Sequence, residues 1–213
     1  RRFVGEIIDY LDGRGVKLVV IACNTLTVLG VDTLKGSHAF EIVGMSKGAQ
    51  LVLAASSRKK IGVFATEFTI NSGAHKAAIL AADDGADVYP QACPKFVPLI
   101  EGEQFDSAEV RAAVAEYAAP LKAAGIDTLI LSCTHYPFIQ KEIESEFGSE
   151  VTVIDPADAT AQDTKTVLAA EGLLRSEGAG TLEVCFTADV ERGARIAGRV
   201  LPQGKCLFKE IKL

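Results

Sequence analysis

Short runs of branched apolar residues alternate along the chain with stretches whose apolar positions recur at helical spacing. The runs predict strands at Lys17–Ala22, Ala39–Gly44, Ile61–Ala65, Ala86–Tyr89, Thr128–Ser132, Val151–Ile154, Leu182–Phe186 and Lys205–Ile211. Between two of them, Val110, Val114, Tyr117 and Leu121 fall at spacings of four, three and four, which is one face of a helix. Pro120 stands inside that pattern, and a kink is expected there. Strands alternating with helices build a parallel sheet covered on both faces, so the predicted class is α/β. The least patterned stretch, Tyr89–Asp106, reads as a long functional loop or lid.

An internal repeat refines this picture. Gly15-Val16-Lys17-Leu18-Val19-Val20-Ile21-Ala22-Cys23-Asn24-Thr25 aligns with Gly125-Ile126-Asp127-Thr128-Leu129-Ile130-Leu131-Ser132-Cys133-Thr134-His135. Each copy has a helix ending at a glycine, an apolar strand, and a cysteine at the strand's carboxyl end. Duplication suggests two related lobes, with residues 1–57 and 157–213 forming the first and residues 58–156 the second. In the second copy the Ile61–Ala65 strand precedes the cysteine unit and feeds Thr66. By symmetry either the first lobe is reduced or, the favoured reading, a further opening βα segment of roughly 40 to 50 residues is expected ahead of residue 1.

Composition narrows the function classes. The chain has 213 residues, 48% of them hydrophobic and 23% charged, as in ordinary globular domains. Its 22 basic and 28 acidic residues leave a net charge of −6 with no basic cluster, which argues against a nucleic-acid partner. No apolar run approaches the ~18 residues of a membrane span. Five widely spaced cysteines, with no Cys-x-x-Cys pair, argue against a disulfide framework or zinc site and for a reducing cytoplasm.

The chemistry concentrates at Cys23 and Cys133. Ligands of parallel sheets bind at the carboxyl ends of the strands, where following helix N-termini attract anions. Such an environment is expected to lower both thiol pKa values toward neutrality. Asn24, Thr25 and Thr134 offer groups that can hold a carboxylate, and His135 is placed to exchange a proton with the second thiol. Two equivalent acid–base groups on opposite sides of a carbon suit inversion: one removes a proton and the other delivers one to the opposite face. Cys93, Cys185 and Cys206 lack this context and read as structural; His38 and His75 read as surface or helix-face residues.

Ala22-Cys23-Asn24-Thr25 and Cys133-Thr134-His135-Tyr136-Pro137 resemble the paired signatures of the cofactor-independent aspartate/glutamate racemases, most closely their glutamate-specific members. The resemblance extends through Ile61-Gly62-Val63-Phe64-Ala65-Thr66, Thr69-Ile70-Asn71-Ser72-Gly73-Ala74, Ala92-Cys93-Pro94-Lys95-Phe96-Val97-Pro98-Leu99-Ile100-Glu101 and Phe186-Thr187-Ala188-Asp189. It implies two α/β lobes with the site in the cleft between them. The implied reaction is racemisation of free glutamate, without cofactor or metal, supplying D-glutamate for peptidoglycan. Carried over by position, Cys23 and Cys133 are the acid/base thiols. Asn24, Thr25, Thr66, Thr69, Thr134 and His135 line the amino-acid site, and Glu101 and His135 partner the Cys133 thiol.

The family's Asp-Ser-Gly and Pro-Tyr-Gly segments have no counterpart here and would belong to the expected opening segment. Leu26, Ser132 and Ala65 stand where the family more often has Ala, Gly and Gly, and Leu26 is expected to narrow the pocket. The alternatives are a racemase of aspartate or another α-acid, and a catalytically inactive interaction protein on the same fold. The resemblance leaves a homodimer open.

Overall fold

The structure, a computed structural model, describes residues 2–30, 38–178, 180–202, 204 and 206–213. Arg1, the first residue of the expected first lobe, and Lys205, the first of the last expected strand, lie outside the described residues.

Helix α1 (Arg2–Asp12) leads into β1 (Leu18–Ile21), α2 (Asn24–Gly30), β2 (Glu41–Gly44) and α3 (Ala49–Ala55). Next come β3 (Lys60–Ala65), α4 (Glu67–Asn71), α5 (Ala74–Ala82), β4 (Asp87–Ala92), α6 (Phe96–Glu101) and α7 (Ala108–Ala124). The chain continues through β5 (Thr128–Ser132), α8 (Gln140–Phe147), β6 (Thr152–Ile154), α9 (Ala157–Ala170), β7 (Leu182–Phe186), α10 (Val190–Ala197) and β8 (Cys206–Glu210). Every strand falls within or beside its predicted run, and all observed pairings are parallel, giving a mixed α/β fold.

The central sheet has the order β4-β3-β5-β6. Its strands alternate between two cores, as strand geometry requires. Phe64, Leu129 and Leu131 face a cluster built with Phe96, Val110, Val114, Leu121 and Ile143 from α6, α7 and α8. Ile61, Val63, Ala65 and Ile130 face the opposite cluster with Val52 and Ile79 from α3 and α5. Both faces are therefore covered, which explains why these strands read as continuous apolar runs. Burial of each large side chain contributes about 1.5–3 kcal/mol.

Register decides where the site lies. Ala65 pairs with Ser132, so β3 and β5 finish side by side, and the next residues, Thr66 and Cys133, emerge together at the carboxyl edge. Each repeat copy turns at a left-handed glycine, Gly15 at φ 67° and Gly125 at φ 70°. Gly125 caps α7, donating its N–H to carbonyls of the last turn.

The remaining strands form two separate pairs, β1-β2 and β7-β8. The chain after β6 comes back to the first of them: the Ser46 N–H donates to Thr160 Oγ1 at 3.0 Å. Arg14 pairs with Glu183 at 2.9 Å, tying the end of the first helix region to β7. This arrangement is consistent with two lobes.

The expected lid is not a lid. β4 continues to Ala92, pairing with β3 through Pro90, and α6 follows with Phe96 and Ile100 fully buried. Proline is tolerated because β4 is the sheet edge. The helix was hidden because α6 is only six residues long and carries Pro98, too short to show a helical period. Pro120 stands inside α7, which runs on through it. Among the described residues, no helix is long and apolar enough to cross a membrane.

Candidate active site

β1 ends at Ile21, whose carbonyl accepts the Cys23 N–H at 2.9 Å, and α2 starts one residue later. Cys23 is partly exposed and Asn24 is buried at 4% exposure. The Asn24 Nδ2 has no hydrogen-bond partner among the described residues. A buried amide N–H without a partner is costly, so Asn24 is poised to donate to an acceptor oxygen brought by a ligand.

Thr25 reaches from the start of α2 to the carboxyl edge of the central sheet. Its Oγ1 lies 2.9 Å from Thr66 Oγ1 and 3.1 Å from Thr69 Oγ1, which are 3.0 Å apart. The three hydroxyls close a ring. Thr66 also caps α4, accepting from the Thr69 N–H. The ring joins the segment after Cys23 to the strand end beside Cys133.

At that strand end Cys133 is buried, at 8% exposure. Its thiol is pushed up to about 11, chiefly by burial; the backbone N–H groups of His135 and Tyr136 pull it down, and the neighbouring Cys23 pushes it up further. This corrects the expectation of a thiol lowered toward neutrality. The N–H donors are where the strand-end argument put them, but loss of hydration outweighs them.

His135 Nδ1 lies 3.9 Å from the Cys133 sulfur, and His135 Nε2 lies 2.7 Å from Glu101 Oε1. Glu101 is the last residue of α6, anchored by Phe96, whose ring meets Tyr117 and Tyr136 edge-on at 5.1 Å each. Tyr136 in turn donates its hydroxyl to the Cys93 carbonyl at 3.3 Å. The segment read as a lid therefore positions the carboxylate that holds His135. Cys93, 1% exposed in this core, is structural as expected.

Thr134 is exposed at the same edge. Leu26 is partly buried and packs against the core of Ile8, Val19, Ile21, Phe40 and Ile42. Phe186, Ala188 and Asp189 line a cavity of about 410 Å³ whose wall also carries Glu101. Two features escaped the sequence reading. Ser132 Oγ, next to Cys133, is buried with no hydrogen-bond partner among the described residues, and His75, expected at a surface or helix face, is buried at 4% exposure. A hydroxyl at the end of a wholly apolar run was the available signal for the first. For the second, only the apolar neighbours Ala74, Ala77 and Ile79 hinted at burial.

A family model for Asp/Glu/Hydantoin racemase matches residues 3–164. A glutamate racemase of Lysinibacillus sphaericus is 36% identical over 215 residues, covering 100% of this chain and 81% of that protein. A glutamate racemase of Lactiplantibacillus plantarum is 41% identical over 169 residues, covering 79% of this chain and 62% of that protein. Among solved structures, glutamate racemase isoform RacE1 from Bacillus anthracis superposes with a TM-score of 0.90 at 31% identity, covering 100% of this chain and 80% of that one. The glutamate racemase of Francisella tularensis, solved in complex with D-glutamate, gives 0.84 at 25% identity, covering 99% and 79%. With sequence and fold in agreement over most of its length, the chain belongs to the Asp/Glu/Hydantoin racemase family.

Proposed function

We propose that the protein interconverts L- and D-glutamate by two-thiol acid/base catalysis, with Cys23 and Cys133 on opposite sides of the α-carbon. The observation that carries this reading is the threonine ring, because it draws the segment that follows Cys23 onto the end of β3, which lies beside the end of β5 that leads into Cys133. A pair of pseudo-symmetric acid–base groups matches a substrate and product that are mirror images.

Cys133 enters as a thiol, since its pKa is pushed up to about 11. In one direction it delivers its proton to the carbanion-like carbon after the Cys23 thiolate has removed the α-proton. In the other direction Cys133 must first lose its proton. His135 supports this: with Nε2–H donating to Glu101, Nδ1 carries the lone pair that faces the sulfur. The proton passes to Nδ1, the imidazolium is stabilised by Glu101, the Cys133 thiolate takes the α-proton, and Cys23, in its thiol form in this direction, delivers its proton to the opposite face. Asn24 and the hydroxyls of Thr25, Thr66, Thr69 and Thr134 hold the substrate's carboxylates, neutralising charge where the carbanion develops. The product would supply D-glutamate to peptidoglycan synthesis.

Each glutamate enantiomer, and each aspartate enantiomer, incubated with the protein in deuterium oxide tests this reading through optical rotation and α-deuterium content. Racemisation of glutamate with α-exchange supports it. Turnover of aspartate alone would replace the substrate, and no exchange with either would refute racemisation of both amino acids.

A further inference from the structure

His75 sits in the first turn of α5 with its side chain inside the protein, and neither ring nitrogen has a hydrogen-bond partner among the described residues. Beside it is a cavity of about 60 Å³ lined by Val63, Thr69, Ile70, Gly73, Lys76 and Pro90. Burial, with a smaller contribution from Lys47, lowers the His75 pKa to about 4, so the ring is neutral near pH 7. A neutral imidazole carries one N–H donor and one lone-pair acceptor. Its complement must accept from one nitrogen and donate to the other. Water can serve either nitrogen, accepting from the N–H or donating to the lone pair, one molecule per nitrogen because the two point apart; a small anion can serve only the N–H, and the ammonium groups of Lys47 and Lys76 only the lone pair. The cavity exceeds the roughly 10–15 Å³ needed to admit one water.

We propose that His75 and this cavity form an internal hydration site, and that through its water His75 is a positioning residue for Thr69. The same cavity wall carries Thr69 and Ile70 of α4 and Gly73 at the start of α5. A water held by the imidazole thus braces the α4–α5 junction, and with it two members of the threonine ring. The consequence for substrate rests on the racemase reading; the hydration site itself does not.

The test compares His75→Phe, which keeps a ring but removes both polar atoms, with His75→Gln, which supplies a donor and an acceptor. In the unsubstituted protein at pH 7, ¹⁵N-histidine NMR is expected to show a neutral imidazole with a water cross-peak at its N–H. Hydrogen-exchange protection of the Thr69 amide should fall about tenfold in His75→Phe and recover in His75→Gln. In parallel, KM for glutamate should rise several-fold in His75→Phe while kcat stays within about twofold. An imidazole without water contact, or Thr69 protection that is equal in the two variants, would overturn the proposal. If the protein racemises no amino acid, the NMR and exchange results decide alone.

Discussion

Glu101 Oε1 lies 2.7 Å from His135 Nε2, and this contact decides what the opposite nitrogen can do for Cys133. A carboxylate accepts only, so it fixes the N–H on Nε2 and leaves the Nδ1 lone pair toward the sulfur. The same carboxylate stabilises the imidazolium formed when the thiol is deprotonated.

Glu101→Gln keeps the shape but removes that charge. We expect kcat/KM to fall about 100-fold, within the range a positioned acid or base contributes. The enantiomers have equal free energies, so kcat/KM must fall by the same factor in both directions. Steady-state rates from each enantiomer check this. An unchanged kcat/KM would remove Glu101 and His135 from the proton path.

Thr25→Val deletes two sides of the hydroxyl ring, at 2.9 and 3.1 Å, while nearly preserving volume. A neutral hydrogen bond contributes about 1 kcal/mol, so urea denaturation should show a loss of about 1–2 kcal/mol. KM for glutamate should rise about tenfold, because the same hydroxyl is assigned to the substrate. Unaltered stability and KM would mean that the ring neither joins the two strand ends nor holds ligand.

Cys23, Cys133, Asn24, Thr25 and Thr134 stood out as candidates because strand-end chemistry depends on local order: an apolar run, a cysteine, then hydrogen-bonding residues; Thr66 and Thr69 entered the site only through family resemblance. The eight strands were legible for the same reason. Glu101 came only through family resemblance, since its role depends on α6 folding against Phe96 and Tyr136 rather than on local pattern. The direction of the Cys133 shift was not legible at all. It is a competition between backbone donors and lost hydration, and sequence reveals the donors without the depth of burial. The environment of His75 was missed likewise, because one histidine in a short helix carries no periodicity of its own.

His75 gives the protein an acid sensitivity whose sign is fixed. Its pKa is lowered from 6.5 to about 4 in the folded state, so between those values the unfolded chain binds the extra proton. Stability from this group is full above pH 6.5 and is lost as pH falls toward 4, by up to about 3 kcal/mol. Denaturation midpoints measured across this window should fall more steeply for the unsubstituted protein than for His75→Gln. Parallel curves would show that His75 does not titrate as its burial requires.

The two-thiol assignment is tested most directly by following α-proton exchange in deuterium oxide with Cys23→Ala and Cys133→Ala, each supplied with L-glutamate and D-glutamate separately. Inversion should fall by at least about 10³-fold in both variants, within the contribution of a positioned acid or base. Residual exchange should survive for one enantiomer only, and for the opposite enantiomer in the other variant, because each remaining sulfur faces one side of the carbon. Inversion persisting in either variant, or both variants exchanging the same enantiomer, would contradict catalysis by opposed sulfurs.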